Sequence, residues 1–348
     1  MSHPETAFKL PFAFEPLFLA DEDFKPLFVP IIKATYATQG KSNLMLRDEQ
    51  KSIDLTGKYY CDSVVSGYKY EPECAFTKPS TDVILIGHAY ADPKNGKETH
   101  VGFQVGPIRK AVRVVGDRYW EKTLGVVSMT PPQPFEKIPL RYEHAFGGWD
   151  RSHGDPQKHT FDPRNPVGTG FRDKYGRFEE GIKLPNLEDP RRPIKNYGDT
   201  PPPAGFGFIS PHWQPRASFA GTYDEAWQKD RMPLLPQDFD RRFFNAAPRD
   251  QISPGYLRGD EPVVVTGVSP NGRIAFHLPK VKPPTCKIEL RGNQKHELQT
   301  NLDTVIINTD ENLLFLIWRT YLTLRNGPHD VVSIEVFSDS IPGKKRTE

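Results

Sequence analysis

The side chains best placed by type to do chemistry are Asp150, His153, Asp155 and His159, which share one short Gly- and Pro-containing loop. Carboxylates and imidazoles at such spacing could ligate a metal or exchange a proton. No HExxH pair and no flanking cysteine accompanies them, so as a metal set they are weak candidates beside the plainer reading of a hydrophilic loop. Nucleophile patterns are missing as well. Ser128 sits in GVVSM, which is not the GxSxG elbow of hydrolases. Cys61, Cys74 and Cys286 are odd in number and show no CxxC spacing, which argues against a disulfide framework or a zinc ribbon. Gly168-Thr169-Gly170 and Gly205-Phe206-Gly207 lack the fingerprint of a dinucleotide loop, and no GxxxxGK[ST] occurs. Pairs such as Asp238 and Asp240 do not stand out among 44 acids. Arg258-Gly259-Asp260 reads as a turn ahead of a hairpin. The residues therefore point to no catalytic centre and no cofactor, and a non-enzyme is expected.

The elements that would hold such residues follow from composition. The chain has 348 residues, 36% of them hydrophobic, enough for a substantial core. Proline is the outlier, with 35 residues, about twice the usual share. Interior prolines remove a donor and clash one turn back, so few long helices can form. The expectation is a mainly β protein: a composite β-sandwich or strongly curved sheet, with long ordered Pro/Gly/aromatic-rich loops and a few short helices. An α+β fold is the alternative. Basic and acidic residues nearly balance, 46 against 44, and no basic stripe suggests a nucleic-acid partner. No apolar run is long enough to insert in a membrane, and acids interrupt the greasy opening stretch, so a cytoplasmic address is expected.

Strand signals cluster toward the ends. Val29–Ala34 and Ser42–Leu46 read as strands around a Gln39-Gly40 turn, followed by Val83–His88, Val101–Val105 and Lys110–Val115. Val263–Val268 and Arg273–Leu278 flank a Ser-Pro-Asn-Gly turn, which puts Ile274, Phe276 and Leu278 on one face and His277 on the other. Thr304–Ile307, Leu313–Leu324 and Val331–Phe337 complete the set, though the Leu313–Leu324 run has no periodicity to exclude a buried helix. A Thr222/Glu225 capping box, with Asp224 in the first turn, starts a helix that Pro233 stops by about Met232. A second short helix is expected over Phe239–Ala246. One composite domain spanning 1–348 is expected, divided into an N-terminal β part (28–127), a proline- and aromatic-rich loop region (128–262) and C-terminal hairpins (263–340). Between Pro131 and Pro284 lie 24 of the 35 prolines, interleaved with Trp149, Phe171, Phe206, Trp213, Trp227 and other aromatics. Large side chains pinning irregular chain explain most of these, and an interface explains a minority.

Within that middle stretch, YWEKTLGVVSMTPPQPFEKIPLRYEHAFGGWD (Tyr119–Asp150), NPVGTGF (Asn165–Phe171) and LPNLEDP (Leu184–Pro190) form an ordered series. PPAGFGFISPHWQPRASFAGTYDEAWQKDRMPLLPQDFDRRFFNAAPRDQ (Pro202–Gln251) and GYLRGDEPVVVTG (Gly255–Gly267) continue it. The series resembles the domain-of-unknown-function family encoded beside VgrG, PAAR and toxin genes in type VI secretion clusters. That resemblance implies a non-catalytic cytoplasmic adaptor or chaperone, which binds a toxin effector's N-terminal region and helps load it onto the spike. Its partners would be that effector and the VgrG C-terminal region or a PAAR protein. Motif residues that the resemblance singles out as partner-binding or structural are Tyr142, Glu143, Phe146, Gly147, Gly148, Asn165, Arg216, Tyr223, Asp224, Trp227, Asp240 and Arg258; Trp213 joins them as an aromatic candidate. The rival readings are an enzyme, a hydrolase or effector modifier, working through the acids and histidines of residues 149–159, and a structural spike or baseplate component.

Overall fold

A strand buried on both faces reads as a continuous apolar run, and Leu313–Arg319 is such a strand, apolar from Leu313 to Trp318. Leu314, Leu316 and Trp318 enter one core, whereas Leu313, Phe315 and Ile317 enter a second on the opposite face. In the computed structural model, which describes residues 4–339 apart from 40–42, 93, 95, 175, 177 and 271, this strand lies at the centre of a seven-stranded sheet. Its neighbours are the long Pro26–Gln39 strand on one side and Asn301–Asn308 on the other. Ala13–Ala20 lies beyond the former and Asp82–Ile86, the parallel strand, beyond the latter. Pro26–Gln39 obeys the same period of two: Phe28, Ile32, Ala34 and Tyr36 face the first core, and Leu27, Val29 and Ile31 the second.

The first core is shared with two further sheets. One is five-stranded and antiparallel, ordered Leu187–Glu188, Ile108–Val115, Glu98–Val105, Pro262–Thr266 and Ile274–His277. The other is four-stranded and runs Glu5–Phe8, Val331–Phe337, Thr285–Leu290 and Gln294–Gln299. Val101, Val105, Val112, Val263 and Phe276 meet Ile288, Ile334 and the seven-stranded sheet in that one cluster. The second face is covered by loops, through Phe76, Phe208, Ala246 and Ala247. A third, small cluster of Trp120, Phe146, Ile182, Leu184 and Ile194 lies under the motif-bearing loops. With 39% strand and 9% helix the protein is mainly β, as its proline content implies.

Several element boundaries differ from the sequence expectation, each for a local reason. Val83–His88 is two strands, Asp82–Ile86 and His88–Tyr90, because the chain leaves one partner for another at Gly87. Leu313–Leu324 also breaks: Leu322–Thr323 pairs separately with Leu27 and Phe28. The short helix is Glu225–Asp230, and its cap is Asp224, whose carboxylate accepts the Trp227 N–H at 2.8 Å. Thr222 does not cap it; both its N–H and hydroxyl donate to Asp238. Phe239–Ala246 shortens to a 3-10 turn, Arg241–Phe244, capped by Asp240. The Asn43–Leu46 strand returns on Pro26–Gln39 as expected, and the turn between them lies outside the described residues. Strands at Glu5–Phe8, Ala13–Ala20, Thr285–Leu290 and Gln294–Gln299 were not legible beforehand.

Candidate functional site

The motif residues separate into a buried knot and an exposed lobe. In the knot, Asn165 is fully buried and its amide donates to the carbonyls of Tyr142 (2.8 Å) and Phe146 (3.0 Å). Thr169 Oγ1 donates to the Glu143 carbonyl at 2.9 Å, and Phe146-Gly147 runs parallel to Thr169-Gly170. Gly147 (φ +145°) and Gly148 (φ +92°) are required by this closeness, since a Cβ would overlap the carbonyl oxygens of Asn165 and Gly168 respectively. Tyr142 is buried against Trp213, rings 5.6 Å apart and edge-on, and the Trp213 ring reaches back to Gly67. Trp213 Nε1 donates to His212 Nε2. Arg216 binds the carbonyls of Ile209 and Phe243, each at 2.7 Å, and pairs with Glu71. It holds three segments of irregular chain together.

Two members of the knot have unused capacity among the described residues: the Asn165 side-chain oxygen is buried without a partner, and so is part of Glu143. One Glu143 oxygen accepts the Gly67 N–H at 3.2 Å, while the other is buried with no partner among the described residues. Burial pushes its carboxyl above the ordinary glutamate range.

The lobe comprises residues 221–242. Tyr223 is 53% exposed and Met232 60%, on either side of Trp227, whose indole donates to the Leu234 carbonyl at 2.8 Å. The Tyr223 and Trp227 rings are 4.7 Å apart. Ion pairs fix the lobe to the turn at residues 21–25: Arg231 to Asp23 at 2.6 Å and Arg241 to Glu22 at 2.7 Å. Phe24, between those acids and Lys25, is 58% exposed. Asp240 is occupied by Arg242, whose guanidinium lies over Phe219. Arg258 is exposed and apart from this group, and its N–H donates to Glu261.

The four weak metal candidates are spent on the backbone. Asp150 is buried and accepts the N–H groups of Ser152 and Asp173, both at 2.9 Å. Burial opposes ionisation there, but those donors and Arg172 outweigh it and hold the carboxyl below the usual range. His153 Nδ1 accepts the Asp155 N–H, Asp155 caps a 3-10 turn through Gln157, and His159 meets the His153 carbonyl. Among the described residues no group of three His, Cys, Asp or Glu side chains could share a metal. Cys61 and Cys74 are exposed, and the buried Cys286 thiol is pushed up to about 12 by desolvation.

A family model matches residues 23–319. The chain belongs to the family described as "Uncharacterized protein conserved in bacteria (DUF2169)". The match takes in both the knot and the lobe and runs through the seven-stranded sheet. Searches of curated proteins and of solved structures find no match. Among the described residues of this DUF2169 chain, no helix is long and apolar enough to cross a membrane.

Two exposed features escaped the sequence reading. Trp149 and Phe161 face each other across a short hairpin, 43% and 41% exposed with rings 4.6 Å apart. The Trp120–Thr123 and Val126–Met129 strands form another hairpin, whose tip is Leu124-Gly125. Leu124 is fully exposed at φ +50°. The signal for the latter was present: two β-branched residues, Val126 and Val127, follow a Leu-Gly pair, and glycine suits the second position of such a two-residue turn.

Proposed function

We propose that this chain is a non-catalytic type VI secretion adaptor or chaperone, acting in the cytoplasm on a toxin effector's N-terminal region and on the VgrG C-terminal region or a PAAR protein. The observation that carries the reading is the exposed lobe. Tyr223, Met232 and Phe24 present apolar surface to solvent, on a frame whose acids and arginines are already paired with one another. Aromatic and Met side chains on a fixed frame make a contact patch with little ordering cost on binding. The motif series quoted above supplies the class of partner. The side-chain chemistry fits binding better than turnover, because the polar motif residues are engaged in holding loops: Asn165, Arg216, Asp150 and Asp224 all bind backbone groups.

The test is co-purification of the tagged chain with the products of its neighbouring genes. Recovery of an effector together with VgrG or PAAR is the expected result, and it should be lost with Tyr223→Ser/Met232→Ser. A clean pull-down without any of them would end the proposal.

A further inference from the structure

We propose that the outer edge of the five-stranded sheet, strand Ile274–His277, is a docking site for an extended, acid-flanked segment of a protein partner, added as a sixth strand. The inference rests on the adaptor reading for there being a protein partner.

The strand is last in its sheet and, among the described residues, pairs only with Pro262–Thr266. Its outward groups follow from the register. Gly106 N–H donates to the Pro262 carbonyl, so Pro262 points toward Glu98–Val105. Alternation then turns Val263 and Val265 toward their partners Phe276 and Ile274. The Leu278 N–H on the Glu261 carbonyl continues the pattern. Ala275 and His277 are the odd positions out, so their N–H and C=O groups point away from the sheet. His277 is exposed, with only its ring held, to the Asp260 carbonyl.

Three other sheet edges are closed or guarded. The free side of Asp82–Ile86 is covered by Gln251, which donates to the Val83 carbonyl, and by Phe206, whose carbonyl takes the Leu85 N–H. Ala13–Ala20 carries Glu15 and Pro16, and Gln294–Gln299 carries Lys295 and Glu297. Along Ile274–His277 there is instead a groove of about 570 Å³, within the ~300–1,000 Å³ of ordinary ligand pockets. Leu44, Pro262, Phe276 and Pro279 contribute apolar wall; among the described residues its charged or titratable members are Arg273, His277 and the Tyr36 phenol, with no carboxylate in the lining. Main-chain bonds at an open edge, pockets for alternate side chains and an arginine at the rim together define strand addition by a segment that carries acids.

Two fluorescently labelled probes test this: acetyl-EVTVTVE-amide and its lysine counterpart acetyl-KVTVTVK-amide, each titrated against the whole chain by polarisation. The acidic peptide should bind at least tenfold tighter. His277→Pro should weaken it at least tenfold without changing the melting temperature, because the lost N–H faces outward. Arg273→Glu, which leaves the backbone edge intact, should reverse the preference between the two peptides. Hydrogen exchange should show the Ala275 and His277 amides open in the free protein and slowed by the acidic peptide. Undetectable binding, equal affinity for His277→Pro, or Ala275 and His277 amides already as protected as that of Phe276 would overturn the proposal. The pull-down separates the two readings. If wild type and His277→Pro capture the same effector and spike partners, the edge is not their dock and the adaptor reading stands. If wild type captures none while the peptides behave as described, the edge stands and the adaptor reading falls.

Discussion

The knot around Asn165 and the lobe around Trp227 come from the same motif series, yet they use similar residues in opposite ways. In the knot, Trp213 is 1% exposed and its ring fills the space between Tyr142 and Gly67. In the lobe, Trp227 is held by one indole hydrogen bond, within a helix that has no buried residue. The knot's polar side chains satisfy buried carbonyls, where an orphan is costly; the lobe's acids and arginines pair at the surface, where such pairs contribute little. A shared motif can therefore preserve a scaffold in one place and a contact surface in another. Substitution can tell the two apart.

The largest effect should come from Trp213→Ala, which empties a buried indole site and should cost about 3–5 kcal/mol, read as a fall in the chemical-denaturation midpoint. An equally small loss for Trp213→Ala and Trp227→Ala would erase the distinction. Next is Asn165→Ala. It strands the buried Phe146 carbonyl at about 1–3 kcal/mol and takes one of two donors from the Tyr142 carbonyl, which keeps the Ala145 N–H; Asn165→Asp should not rescue it, because a carboxylate has no N–H to give. Asp224→Ala removes the helix cap and should cost about 1 kcal/mol, seen as local loss of amide protection near Trp227 rather than global unfolding.

Glu143→Gln sharpens the comparison through pH. Glu143 has its native carboxyl raised by burial, so its contribution favours the fold when protonated, below the unfolded-state value near 4.3, and is lost as pH rises through the raised native value. The melting-temperature difference between Glu143→Gln and wild type should thus grow in favour of the variant as pH rises across that window, and stay flat above it. A difference independent of pH would mean that Glu143 titrates normally. The smallest stability effect belongs to the lobe surface: Tyr223→Ser with Met232→Ser should change stability by no more than about 0.5 kcal/mol while abolishing partner capture.

Much of the β framework was legible because alternation is a local property. Ile274, Phe276 and Leu278 against His277 is an ordinary half-buried strand, and its faces came out as read. Leu313–Arg319 carried no such alternation, because both of its faces are buried, and only its place between two cores settles it as strand. The Thr222 cap failed for a related reason. Thr222 and Asp224 are both good caps by type, and Asp238, sixteen residues away, took Thr222 for itself. The candidate site was legible as a set of residues but not as two groups. Nothing local distinguishes an aromatic that fills a loop's interior from one that lies on its surface.

By itself, then, the sequence determined the class: a proline-rich chain with β-branched runs has few ways to fold other than as sheets joined by fixed loops. It also determined family membership and the motif series that suggests a partner. Only the tertiary structure decided that Pro26–Gln39 and Asp82–Ile86 share a sheet with Asn301–Asn308 and Leu313–Arg319, which come from the far end of the chain. It alone decided that Asn165 serves Tyr142 and Phe146, and that one sheet edge is left open while another is covered by Gln251 and Phe206. The reason is physical. Propensity and alternation act over a few residues, whereas burial and an unpaired edge depend on which distant segments arrive to cover a surface.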